Sequence, residues 1–158
     1  MSDKAMQLAN KLAIEGERTL AYFRGLSDDD WGKQIFEDGA MWKVRDIFEH
    51  LCISEHTLRR LFENILATGQ GSPESFSVDA FNQEKTGRFA ALSQDELFKL
   101  YDDTRKKTVA FTHGLDDEQL ARRARHPAMG DSSLEDMLKM IYLHHQMHVR
   151  DVKRGIIH

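Results

Sequence analysis

Residues 69–92 read GQGSPESFSVDAFNQEKTGRFAAL, and the length of this stretch decides how the chain can fold. It carries Gly69, Gly71, Pro73 and Gly87 and separates two strongly helical patterns. A tight connection between antiparallel helices takes far fewer residues. Extended chain covers roughly 3.3 Å per residue, so the segment can travel the length of a helix bundle. The helix after it is then free to run parallel to the helix before it. That gives an up-down-down-up order rather than simple alternation.

Four long helical patterns surround this crossover. Residues 3–25 place Leu8, Leu12, Leu20 and Phe23 at helical spacing. Ser27 then opens a short acidic turn, Asp28-Asp29-Asp30-Trp31, with carboxylates at a helix N-terminus. A second helix is predicted from about Trp42 to Ala67, with Ile47, Leu51, Leu58, Leu61 and Ile65 on its apolar stripe and Gly69 as its stop. A third starts at the capping box Ser93-Gln94-Asp95-Glu96 and runs to Gly114. A fourth follows the spacing Ser132-Ser133-Leu134-Glu135, read as a second capping box, and ends near Gly155. No run of alternating β-branched residues and no internal repeat is visible. The expected fold is all-α, a four-helix bundle in one domain over residues 1–158.

Composition narrows the function. The 158 residues hold 41% hydrophobic and 30% charged side chains with a formal net charge of −4, which gives no nucleic-acid footprint. No apolar run approaches the roughly 18–20 residues that span a membrane, and the polar start Met1-Ser2-Asp3-Lys4 leads straight into a helix. A cytoplasmic protein is expected. The single cysteine, Cys52, excludes an internal disulfide and reads as packing.

The chemistry concentrates in three histidines. His144 and His148 are four residues apart, one above the other on a helix face, and both occupy the apolar stripe of the fourth helix. His50 lies on the stripe of the second helix. It stands about 12 Å from that helix's N-terminal end, and His148 about 9 Å from the C-terminal end of the fourth. Those heights coincide only if the two helices are antiparallel, as up-down-down-up requires. An isolated inward histidine is most often a hydrogen-bonded core residue, but burying unpartnered imidazoles is costly. Three neutral nitrogens around one divalent ion resolve that cost and leave a fourth position open. A ferritin-like di-metal centre would need Glu three residues before a histidine, and none is there.

Other candidates read as background. His145 is turned about 100° from His144 and reads as a surface or interface residue. His56 points away from His50, His113 and His126 lie near breaks, and His158 ends the chain. Asp151 reads as an exposed helix-end acid. Arg105-Lys106-Lys107 reads as the wet side of the third helix. Arg122-Arg123-Ala124-Arg125 could attract an anionic substrate group, although clustered loop arginines are more often solvated.

Trp42-Lys43-Val44-Arg45-Asp46-Ile47-Phe48-Glu49-His50-Leu51 resembles the helix 2 motif of the DinB/YfiT-like metalloprotein superfamily. So do His126-Pro127-Ala128-Met129-Gly130, the stretch Ser133-Leu134-Glu135-Asp136-Met137-Leu138, and the pair His144 and His148. Val78-Asp79-Ala80-Phe81-Asn82 faintly echoes the maleylpyruvate-isomerase-like branch. The resemblance implies an up-down-down-up bundle with one divalent metal, zinc or nickel, on His50, His144 and His148. It also implies a homodimer, and relatives that include bacillithiol-transferase-like enzymes. The mycothiol-dependent branch commonly has Glu where this chain has His144, which points away from that activity. The expected function is therefore a thiol S-transferase acting on an electrophile with a low-molecular-weight thiol. A metal-dependent hydrolase and a non-catalytic metal or small-ligand binding protein are the alternatives.

Overall fold

Three of the four long helices begin where a side chain supplies the acceptor that their first backbone N–H groups lack. In the computed structural model, which describes residues 2–37 and 40–156, the elements follow in this order. They are α1 (Asp3–Arg24), α2 (Asp28–Trp31), β1 (Gln34–Glu37), β2 (Ala40–Lys43), α3 (Val44–Thr68) and α4 (Val78–Lys85). Then come α5 (Gln94–His113), α6 (Asp117–Ala121), β3 (Arg123–His126), β4 (Gly130–Ser133) and α7 (Leu134–Ile156). Ser2 caps α1 through Ala5 N at 3.1 Å. Ser93 and Glu96 form the predicted reciprocal box at α5. The fourth long helix is capped one residue later than its spacing suggested: Ser133 Oγ accepts from Asp136 N at 3.1 Å. Ser132 belongs to β4, and its hydroxyl donates instead to Gly130 O. α3 stops at Gly69, whose φ of 80° is left-handed.

Two antiparallel hairpins, β1–β2 and β3–β4, correct the expectation of a purely helical chain. Their four-residue strands are too short for alternation to show in the sequence. Each hairpin feeds directly into a long helix and is tied to it in the same way. Val44 N donates to Lys33 O, and Leu134 N donates to Arg122 O, both at 2.9 Å. The crossover, expected to be a loop throughout, also contains α4.

A second correction follows from these ties. Long helix, short capped helix, hairpin and long helix occur in that order twice, as α1–α2–β1–β2–α3 and α5–α6–β3–β4–α7. Gly25 and Gly114 cap α1 and α5, and Ser27 and Asp116 cap α2 and α6. The repetition is one of architecture, carried by caps and turns, so residue-by-residue identity does not reveal it.

Side-chain contacts fix how the long helices lie. Along α3 and α5 the contacts advance together: Phe48 on Phe98, Glu55 on Arg105, Arg59 on Thr108 and Phe62 near Phe111. Along α3 and α7 they run oppositely, with His50 by His148, Glu55 by His145, and Phe62 and Ile65 in one cluster with Leu134 and Met137. α1 follows α7, from Lys11 over Tyr142 through Glu15 with Gln146 to Tyr22 under Lys153.

The core has two apolar parts. One gathers Leu20, Phe23, Trp31, Phe48, Leu97, Phe98 and Tyr101; the other gathers Leu8, Leu12, Phe62, Ile65, Leu134, Met137 and Ile141. Each fully buried side chain of this size contributes about 1.5–3 kcal/mol. Between the two parts lies a layer of buried polar residues, including Glu55, Arg59, Thr104, Arg105, Thr108 and His145. Among the described residues, no helix is long and apolar enough to cross a membrane.

Candidate metal centre

The opposed course of α3 and α7 brings His50, the seventh residue of its helix, level with the late pair on α7. His50 Nε2 lies 3.3 Å from His144 Nε2, and His148 Nε2 lies 2.9 Å from the same atom. The three rings stand edge-on to one another at centroid distances of 4.5–5.1 Å. His148 is buried and the other two are half-buried. The Trp42 ring, delivered by β2, packs against the His50 ring at 5.1 Å. The three predicted ligands are thus brought together.

Their electrostatics suit neutral bases. Burial, then the charge that His148 would carry, lowers the His50 pKa to about 3. Burial, then His148, His50 and His126, lowers that of His144 to about 2. Both are uncharged at neutral pH, and a neutral imidazole offers a lone pair to a metal. Zinc–nitrogen bonds of about 2.0–2.1 Å put two ligand nitrogens about 2.9 Å apart at a right angle and about 3.4 Å apart on a tetrahedron. The observed spacings fall on that range, so the donor set fits one divalent ion. Among the described residues, no fourth His, Cys, Asp or Glu joins the group.

One step along α7, His145 overturns the expectation of a surface residue. It is 1% exposed, and its Nδ1 accepts from Tyr101 Oη at 2.8 Å and from the Arg105 guanidinium at 3.1 Å. Its proton therefore sits on Nε2, which faces Glu55 Oε1 at 3.7 Å. Arg105 likewise leaves the wet side assigned to it. It grips Glu55 through Nε and a terminal nitrogen at 2.9–3.2 Å and donates to Leu12 O on α1 at 2.9 Å. Gly16 makes room for it, since a Cβ there would stand 2.7 Å from Arg105 Cγ.

His126, expected near a break, ends β3. It is buried, and its Nδ1 accepts from the backbone of Ala128 and Met129 at 3.0 and 3.1 Å. Burial lowers its pKa to about 4. Its Nε2 has no hydrogen-bond partner, and its field reaches His144. Its advance signals were the His126-Pro127 turn and its place in the family-like stretch His126-Pro127-Ala128-Met129-Gly130.

The remaining candidates stay outside the centre. Cys52 is buried, and burial pushes its thiol pKa up, so it is packing. His56 and His113 are exposed, and His158 lies outside the described residues. Asp151 meets Arg154 at 3.8 Å. Arg122 donates to Leu66 O near the far end of α3, and Arg123 pairs with Asp131 on the surface. Neither of these two arginines is brought to the histidines.

Against known proteins, the family model of the DinB superfamily matches residues 11–152, and the chain belongs to that superfamily. Two solved structures share its fold. One is YfiT from Bacillus subtilis, described as a probable metal-dependent hydrolase with an unusual four-helix bundle topology. It is 18% identical, with a TM-score of 0.71 over 96% of this chain and 83% of that one. The other is the DinB-like protein YjoA of the same bacterium, 18% identical, with a TM-score of 0.58 over 94% and 89% of the two chains. Among proteins with curated functions, none matches this sequence.

Proposed function

We propose that this chain is a metal-dependent enzyme that holds one divalent ion, zinc or nickel, on His50, His144 and His148. The observation that carries the reading is the convergence of three Nε2 atoms with no fourth protein donor among the described residues. The opposed contacts of α3 and α7, and the shared course of α3 and α5, support an up-down-down-up order as the frame that creates this convergence. Bound there, a divalent ion supplies the charge that lowers the pKa of a thiol or a water at the open position. Trp42 holds the His50 ring, and the layer around His145 holds α7, so the nitrogens keep their aim.

The reaction we favour is transfer of a small thiol to an electrophile. The S–H proton leaves to solvent, an S–C bond forms, and the bond from that carbon to the leaving group breaks. Hydrolysis is the second reading, favoured by the description of YfiT as a probable metal-dependent hydrolase. Cobalt substitution separates the two. A thiol entering the open position is expected to add an intense sulfur-to-cobalt band in the near ultraviolet and shift the visible bands. A cobalt spectrum unchanged by millimolar thiol would remove the transferase reading and leave the hydrolytic one.

A further inference from the structure

On the α4 side of the His50 ring lies a small, partly open cavity. β2 contributes Trp42 to its wall, α3 contributes Asp46 and Glu49, and α4 contributes Phe81 and Asn82. Its volume of about 10 Å³ is at the lower limit for one water-sized group, which needs about 10–15 Å³. Glu49 is 3% exposed, and a backbone N–H from Phe89 serves its carboxyl group. Its Oε1, however, is buried with no hydrogen-bond partner. An acceptor in that state is costly to leave unmet, so such groups in proteins almost always have a donor.

The neighbouring cations do not supply one. Arg45 is spent on the carbonyls of Phe89 and Leu92, at 2.9 and 2.6 Å. Lys85 lines the cavity, but its amine lies 3.8 Å from Glu84 and 5.9 Å from the Phe81 ring centre. Asp46 is already the acceptor for Lys43 N at 3.0 Å. What remains is an unmet carboxylate oxygen beside a space of ammonium size. Two acidic groups and two aromatic walls surround it, an environment that favours a small cation over a neutral group.

We propose that this cavity is a subsite for an ammonium group carried by the molecule that occupies the open position next to His50, with Glu49 Oε1 as its acceptor. The subsite rests on the metal reading above and adds to it a substrate class, an aminothiol or another amine-bearing ligand. Glu49 acts by binding the ligand through its N–H groups.

The test is a set of titrations of the cobalt-loaded full chain, read from its visible spectrum. The ligands are cysteamine and 3-aminopropane-1-thiol, which differ in tether length, then 2-mercaptoethanol, and the N,N,N-trimethyl form of each aminothiol. The trimethyl forms keep the charge but have no N–H and exceed the cavity. At one tether length the primary aminothiol is expected to bind about tenfold tighter than its trimethyl form and than 2-mercaptoethanol, the gain of one charge-assisted hydrogen bond. Glu49→Gln should remove most of that preference and leave 2-mercaptoethanol affinity within about twofold. Equal affinity of primary and trimethyl forms at both lengths would overturn the subsite, and needs no variant. So would a preference that survives in Glu49→Gln. If every thiol shifts the spectrum equally, the subsite alone fails. If cobalt does not bind or no thiol alters its spectrum, the metal-thiol reading fails and the subsite falls with it.

Discussion

His144 and His145 are neighbours on α7, both withdrawn from solvent, yet their surroundings differ in kind. His145 sits in a layer where each polar group meets a partner on another helix: Tyr101 and Arg105 from α5, Glu55 from α3, and the Leu12 carbonyl from α1. His144 faces two more imidazole nitrogens at 2.9 and 3.3 Å. At most one proton fits between each such pair, so the facing Nε2 atoms cannot all satisfy one another as the donors and acceptors of the layer do. Burial alone does not mark a functional histidine. What marks it is three imidazole nitrogens converging on one point with no fourth ligand-type side chain among the described residues.

The layer should therefore break the fold, and the trio should break ligand binding. The largest effect is expected at the layer. Glu55→Gln or Arg105→Met leaves a buried charge without its partner and should cost about 3–5 kcal/mol of stability by urea denaturation. His50→Gln in metal-free protein should cost about 1 kcal/mol or less, because that ring serves no such pair. Equal losses at the two places would erase the distinction.

A more gradual effect sharpens it through pH. His50 and His144 have folded-state pKa values of about 3 and about 2, against 6.5 for an ordinary histidine. Between those values the unfolded chain binds more protons than the folded one, so stability rises with pH there. Metal-free protein should hold full stability above pH 6.5 and lose it as pH falls toward 3, by at most about 1.4 kcal/mol per pH unit for each such group. His50→Gln should flatten the slope, and urea midpoints across that window measure it. A slope unchanged in the variant would mean that His50 does not titrate as its burial requires. The smallest effect is at Tyr101. Tyr101→Phe deletes one of two donors to His145 Nδ1 and should cost about 1 kcal/mol, with metal affinity changed less than by any ligand substitution.

The two architectural halves show the same economy. His50 stands six residues after Val44, the residue tied back to Lys33; the same step from Leu134, tied back to Arg122, reaches Met140. His144 and His148 correspond likewise to Ser54 and Leu58. One frame thus presents three imidazoles at one end and, among the described residues, no metal-binding set at the other. Glu55 and His145 occupy equivalent steps and meet each other, which places the polar layer where the two halves join.

Much of this was legible in the sequence. The four long helices announced themselves by apolar stripes, with Ser caps at α5 and α7 and glycine stops at α3 and α5, and the histidines by spacing and height. The hairpins were not legible, because strands of four residues with Arg, Gly and Ser carry no alternation. α4 was hidden because it buries none of its residues and so shows no stripe. The layer was misread for a related reason: Arg105 hides in a run with Lys106 and Lys107, and an inward arginine leaves a gap in the apolar pattern. His126 needed the hairpin to carry it inward. Periodicity reports where apolar groups go; buried polar partners become visible only once the helices face each other.

The most direct test of the claim that the trio is a metal centre is equilibrium dialysis of full-length protein against zinc and, separately, nickel. Bound metal is measured per chain in wild type, His144→Ala and His56→Ala. About one equivalent is expected in wild type and in His56→Ala, with most of it lost in His144→Ala while the fold survives by circular dichroism. Full metal retention in His144→Ala, or no stoichiometric binding of either ion by wild type, would contradict it.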